Sequence, residues 1–165
     1  MITFHLGVID LPYEDENTTT GDVAEYLEEK YPEPTLLGQD IQTRALIRAF
    51  CLNIACDIHP LNNLRVLKYL KNTLEISEEQ KTAWYKHWIN IGFQSLEQQL
   101  IQSNGKFCFG DNATFADCCL VPQVYNALRF DIDISAFPKI KSIYQHCSAI
   151  DAFKQASPEQ QIDAI

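Results

Sequence analysis

Apolar residues recur at helical spacing along most of this chain. Val23, Tyr26 and Leu27 make one stripe, and Thr20-Gly21-Asp22 precedes it with a capping hydroxyl and an acid suited to a helix N-terminus. This predicts a short helix over 20–31, ended by Pro32 and Pro34. From Gln39 to about Lys71, Ala45, Ile47, Phe50, Ile54, Ile58, Leu61, Leu64 and Leu67 mark one apolar side of a long helical run. Pro60 lies inside that run, removes a backbone donor and crowds the carbonyl four residues back, so a kink is expected near Cys56.

A second long helix is expected from Ser77 to about Gln102. Ser77-Glu78-Glu79-Gln80 reads as a capping box, Trp84, Trp88, Ile91, Leu96 and Leu100 follow at helical spacing, and Asn104-Gly105 stops the run. A third helix starts at Thr114, with Asp117 three residues on. Cys118, Cys119, Leu120, Val121, Val124, Ala127 and Leu128 make it apolar on most sides, as a buried central helix would be. Phe137-Pro138 opens a fourth helix through Ile140, Ile143, Tyr144 and Cys147, and a last turn covers 151–156. Little strand signal follows residue 38. The pattern predicts an all-α bundle of long antiparallel helices around a central apolar one.

Charge and cysteine content narrow the chemistry. Thirteen basic against 22 acidic residues give a net charge of −9, a field that repels phosphate backbones. No run of 18 apolar residues exists, and Met1-Ile2-Thr3-Phe4 lacks a basic start, so neither a membrane span nor a signal peptide is expected. The six cysteines, Cys51, Cys56, Cys108, Cys118, Cys119 and Cys147, form no CxxC pair and lie among apolar neighbours. They read as reduced, buried thiols in a cytoplasmic protein. Cys51, Cys56 and His59 do not converge on one helix face, so no metal site is expected.

Specific strings go further than periodicity. Glu25-Tyr26-Leu27-Glu28-Glu29-Lys30-Tyr31-Pro32-Glu33-Pro34, then Leu36-Leu37, resembles the last helix and exit linker of a glutathione transferase's thioredoxin-like domain. Ile58-His59-Pro60-Leu61-Asn62-Asn63-Leu64-Arg65-Val66-Leu67 and Leu120-Val121-Pro122-Gln123-Val124-Tyr125-Asn126-Ala127, with Arg129-Phe130, resemble the zeta class, the maleylacetoacetate isomerases. Gly110-Asp111 through Asp117 is similar to the capping-box segment of the transferase helical domain. The resemblance implies a glutathione transferase C-terminal helical domain over 35–165, preceded by a truncated thioredoxin-like remnant over 1–34. It also implies a chemistry, the glutathione-dependent cis–trans isomerisation of maleylacetoacetate to fumarylacetoacetate in tyrosine breakdown.

By the same resemblance Thr19, Thr20, His59, Asn63, Leu64 and Arg65 would contact glutathione, and Arg129 would sit in the pocket of a dicarboxylate substrate. Residue chemistry leaves plainer alternatives open. Thr20 can simply cap a helix, His59 can satisfy a backbone carbonyl, Arg65 can be solvated, and Arg129 can complement a helix C-terminus. Thr114 and Asp117 are assigned to capping. No serine precedes Ser77, so the family's serine-rich thiolate motif has no counterpart in this chain. That departure predicts very low turnover, and the alternative reading is a non-catalytic helical interaction module. Loss of a docking half would expose an apolar patch open to self-association.

Overall fold

A computed structural model describes residues 20–161, with side chains from Val23 onward. Thr19, with the rest of residues 1–19 of the remnant expected over 1–34, lies outside the described residues. Helices carry the fold: α1 (Thr20–Lys30), α2 (Ile41–Leu52), α3 (His59–Asn62), α4 (Leu64–Asn72), α5 (Glu78–Leu100), α6 (Phe115–Arg129), α7 (Pro138–Ser148) and α8 (Asp151–Gln155). A 3-10 turn, Pro158–Gln160, follows α8. No strand occurs among the described residues; an isolated antiparallel bridge joins Phe107 to Gly110. The all-α expectation holds.

The helix expected over 39–71 is divided, and the reason is Pro60. Lacking an N–H, it cannot serve the Cys56 carbonyl, and its ring would collide there in a regular α-helix. The chain widens instead into a π-helical segment, Asn53–Ile58, in which the His59 N–H reaches back to the Ile54 carbonyl. A second interruption was not expected. Asn63 is extended (φ −64°, ψ 146°) and separates α3 from α4. Leu64, placed on the apolar side by periodicity, is consequently 57% exposed, and Ala45 is exposed as well.

The core lies around α6, whose Leu120, Val124 and Ala127 are fully buried. This helix packs on α2, α7 and the π segment, while α5 packs on α3, α4, α7 and the π segment. Ile47, Phe50, Ile89, Phe93, Leu96 and Ile140 complete the interior. Ser77 and Gln80 form the expected capping box on α5, which ends at Leu100, somewhat before Gln102. Helix α7 begins without a cap from its own sequence. Glu97 of α5 accepts the Lys139 and Ile140 N–H groups at 2.8 and 3.0 Å and supplies it.

Two buried carboxylates organise the start of α6 and the linker before α2. Asp117 accepts the Cys108 N–H, the Thr114 N–H and the Thr114 hydroxyl, each at 2.8 Å, and completes the α6 capping box. Glu28 of α1 accepts the Leu36 N–H at 2.8 Å, the Arg44 guanidinium at 3.1 Å and the Thr35 hydroxyl. The Leu36 carbonyl in turn accepts the Phe115 N–H at 2.8 Å, so α1, the linker and the start of α6 form one hydrogen-bonded unit.

Burial alone would raise the Glu28 pKa; the Thr35 hydroxyl, the Leu36 N–H and the Arg44 charge outweigh it and hold the carboxyl below its ordinary value. A native pKa below the unfolded one contributes stability above about pH 4.3, lost as pH falls through the native value. Glu28→Gln is therefore expected to cost about 1–2 kcal/mol at neutral pH. It should also flatten the acid limb of the melting-temperature profile. A mutant profile parallel to the wild type across pH 7 to 3 would show that the charge does not hold the linker.

Candidate functional site

The break at Asn63 builds a polar corner between α3 and α4. With Asn63 extended, its Oδ1 caps α4 by accepting the Arg65 N–H at 3.0 Å. That bond fixes the carboxamide, so Nδ2 is the edge turned toward His59 Nε2, 3.3 Å away. An amide nitrogen only donates; His59 Nε2 is therefore the acceptor, and the ring proton sits on Nδ1. Burial lowers the His59 pKa, and the nearby Arg65 charge adds to the effect. The imidazole is neutral at physiological pH. Arg65 itself is exposed and has no carboxylate partner among the described residues. Leu64 is exposed between them.

The corner thus holds three of the residues that the resemblance singled out, His59, Asn63 and Arg65, joined in one chain of contacts. Thr20 is the first residue of α1, and its side chain lies outside the description. Neighbouring Asn62 was not singled out by sequence, yet it is only 9% exposed with both carboxamide atoms unpartnered. Only its position beside a helix-breaking asparagine could have marked it.

Arg129 lies elsewhere, in the last turn of α6, where the chain exits exposed. Its guanidinium carbon stands 6.0 Å from the Tyr125 ring centre, one turn earlier on the same helix. The Tyr125 hydroxyl donates to Glu159 at 2.5 Å. Beside this cluster Phe130 stacks on buried Tyr85 at 4.0 Å, and burial pushes the Tyr85 phenol up to about 12, against the influence of Arg129. No hydrogen bond or ion pair among the described residues joins the Arg129 cluster to the His59 corner. The described part of the chain does not bring the two sets together.

Thr114 and Asp117 take the capping role expected of them, and Asp117 also holds the Cys108 N–H. Most thiols are inert. Burial raises Cys108 well above the usual thiol range and pushes Cys118 and Cys147 up to about 12. Cys119 is raised by its hydrogen bond with Cys51 and by burial. Such thiols are poor nucleophiles. Cys56, expected to be buried, is exposed because it lies two residues from both Ile54 and Ile58, on the side opposite those buried positions; Cys118 is only partly covered. Among the described residues no group of three or more His, Cys, Asp or Glu side chains is arranged to hold a metal ion. No helix there is long and apolar enough to cross a membrane. A cleft of about 280 Å³ opens between the π segment and α5, lined by Asp57, Leu61, Trp88 and Ile91 among others, and it includes none of the singled-out residues. Trp84 closes its neighbourhood by donating to the Leu61 carbonyl at 2.9 Å.

Residues 61–155 match the glutathione S-transferase, C-terminal domain family. The chain belongs to the glutathione transferases. The class follows from individual relatives. A "Probable maleylacetoacetate isomerase" of Vibrio cholerae is 48% identical over 142 residues, covering 86% of this chain and 66% of that protein. The holo structure of a maleylpyruvate isomerase, described as a bacterial zeta-class glutathione S-transferase, superposes with a TM-score of 0.87 at 41% identity, covering 90% of this chain and 71% of that one. A maleylacetoacetate isomerase of Anaeromyxobacter dehalogenans, solved with dicarboxyethyl glutathione and citrate in its active site, superposes at 0.84 with 34% identity, covering 90% and 67%. This is a zeta-class chain, spanning about two thirds of the length of these relatives.

Proposed function

We propose that this chain provides the helical half of a glutathione-dependent cis–trans isomerase acting on maleyl-type dicarboxylates, as in the conversion of maleylacetoacetate to fumarylacetoacetate. The observation that carries the reading is the α3–α4 corner: an exposed guanidinium with no carboxylate partner among the described residues, beside a neutral imidazole and a capping amide, on the motif that resembles the zeta class. Glutathione carries carboxylates at both ends, and the donor set of the corner fits one of them. Arg65, without an ion-pair partner among the described residues, is suited to bidentate carboxylate recognition. The His59 Nδ1 proton offers a neutral donor, and the Asn63 cap holds both groups in register.

When bound, glutathione supplies the thiol chemistry of the reaction. The residues of this chain bind and orient. Arg65 holds a peptide carboxylate, His59 and Asn63 fix the corner around it, and Arg129 draws the substrate dicarboxylate to the end of α6. The corner itself contains no hydroxyl to stabilise a thiolate, which supports the second reading of a binding module without turnover. Cytoplasmic location, the 1–34 and 35–165 division, and self-association through exposed side chains such as Leu52 and Ile91 belong to the same proposal.

Calorimetric titration with glutathione, paired with an isomerase assay, tests both readings. Wild type is expected to bind glutathione, and Arg65→Gln to weaken binding about tenfold, as loss of a charge-assisted contact does. Binding that is indifferent to Arg65→Gln would remove the corner from the site. Binding without isomerisation would select the non-catalytic module.

A further inference from the structure

Glu159 is an unusual neighbour for Arg129. It sits on the three-residue turn Pro158–Gln160, after the last helix, 34 positions beyond the tyrosine it meets. The turn is placed by short-range bonds: the Gln161 amide donates to the Gln155 and Ser157 carbonyls at 2.9 and 3.1 Å. From there the Glu159 carboxylate reaches α6 and accepts the Tyr125 hydroxyl at 2.5 Å. Arg129 lies over the same tyrosine ring. A hydroxyl donor and a guanidinium one helical turn apart are the elements of a carboxylate-binding pair, and the chain has set one of its own carboxylates against them.

The partners respond as such a pair should. The Tyr125 hydrogen bond, assisted by the Arg129 charge, keeps the Glu159 carboxyl below the usual range, and the same bond raises the Tyr125 phenol. Glu159 and Arg129 are both exposed, and no ion pair closer than 4.0 Å forms between them. Contacts of that kind are weak enough for a soluble carboxylate to displace.

We propose that Tyr125 and Arg129 form a carboxylate subsite, and that Glu159 occupies it from within the chain until a carboxylate ligand displaces it. The inference rests on the reading that Arg129 faces the dicarboxylate, and adds to it a second recognition residue and a built-in competitor. Tyr125 contributes through its hydroxyl, so Tyr125→Phe keeps the ring under Arg129 and removes only the donor.

The test is calorimetric titration of the full chain with maleate as the dicarboxylate probe, on wild type, Glu159→Gln, Tyr125→Phe and Arg129→Gln. With the competitor neutralised, Glu159→Gln is expected to bind maleate about three- to fivefold more tightly than wild type. Tyr125→Phe should bind it several-fold more weakly, and adding Glu159→Gln to it should restore little. All of these positions are near the surface, so melting temperatures are expected to stay within a degree or two. If Arg129→Gln loses maleate while Glu159→Gln and Tyr125→Phe match wild type, the subsite and its competitor are refuted and Arg129 keeps its role. If Arg129→Gln binds as wild type does, or no variant binds, the role of Arg129 fails and the inference falls with it.

Discussion

Replacing Asp117 with alanine is expected to lower the stability of this protein by about 3–4 kcal/mol. The side chain is fully buried and accepts from the Cys108 N–H, the Thr114 N–H and the Thr114 hydroxyl. Its removal leaves two backbone donors inside the protein without a partner, each worth about 1–3 kcal/mol, and uncaps α6. For a chain of this size the loss corresponds to a fall of roughly 10 °C in melting temperature. Asp117→Asn keeps one carbonyl acceptor and should lose about half as much. Asp117 bonds none of the proposed ligand residues, so glutathione affinity of the folded protein is expected to be unchanged. A fall of less than about 2 °C in the alanine variant would show that water replaces the carboxylate, and that the start of α6 does not depend on it.

Gly92→Ala is expected to cost about 2 kcal/mol for a different reason. A Cβ at position 92 would stand 2.4 Å from Ile58 Cγ1 and 2.5 Å from its Cδ1. Ile58 is 2% exposed and belongs to the π segment that Pro60 imposes, so it has little room to yield. The strain should pass along the π segment to His59 and reach the polar corner. Ile58→Ala removes the colliding atoms and costs about 2–4 kcal/mol by itself. In the Ile58→Ala background Gly92→Ala should be nearly neutral, and that non-additivity is the signature of direct contact. Thermal melts of the two single variants and the double variant measure it. Additive losses would place the damage outside the α5–π contact.

How much was legible in the sequence depends on the range of each interaction. Ser77 with Gln80 and Thr114 with Asp117 are neighbours along the chain, and their caps could be read directly. Pro60 disturbs any helix that contains it, and a distortion at Cys56 was expected on that ground. The form of the distortion was not: a kink and a π turn remove the same clash, and packing of Ile58 against Gly92 belongs to the second. Periodicity carried Leu64 into the core because it assumed an unbroken helix through Asn63. The candidate residues His59, Asn63 and Arg65 were reached through motif resemblance; their bonding order, and hence the neutral imidazole with its proton on Nδ1, needed the geometry.

What the amino-acid order settled alone is the all-α class, the helices outside the 39–71 run, most of their ends and the buried identity of α6, because each follows from residues within a turn or two of one another. Tertiary structure decided the rest. Glu97 caps α7 from 42 positions away, Glu28 binds a linker and a helix beyond it, and Glu159 meets Tyr125 across 34. A carboxylate finds its partner by position in space, and distant positions along a chain carry no local pattern that names the pair.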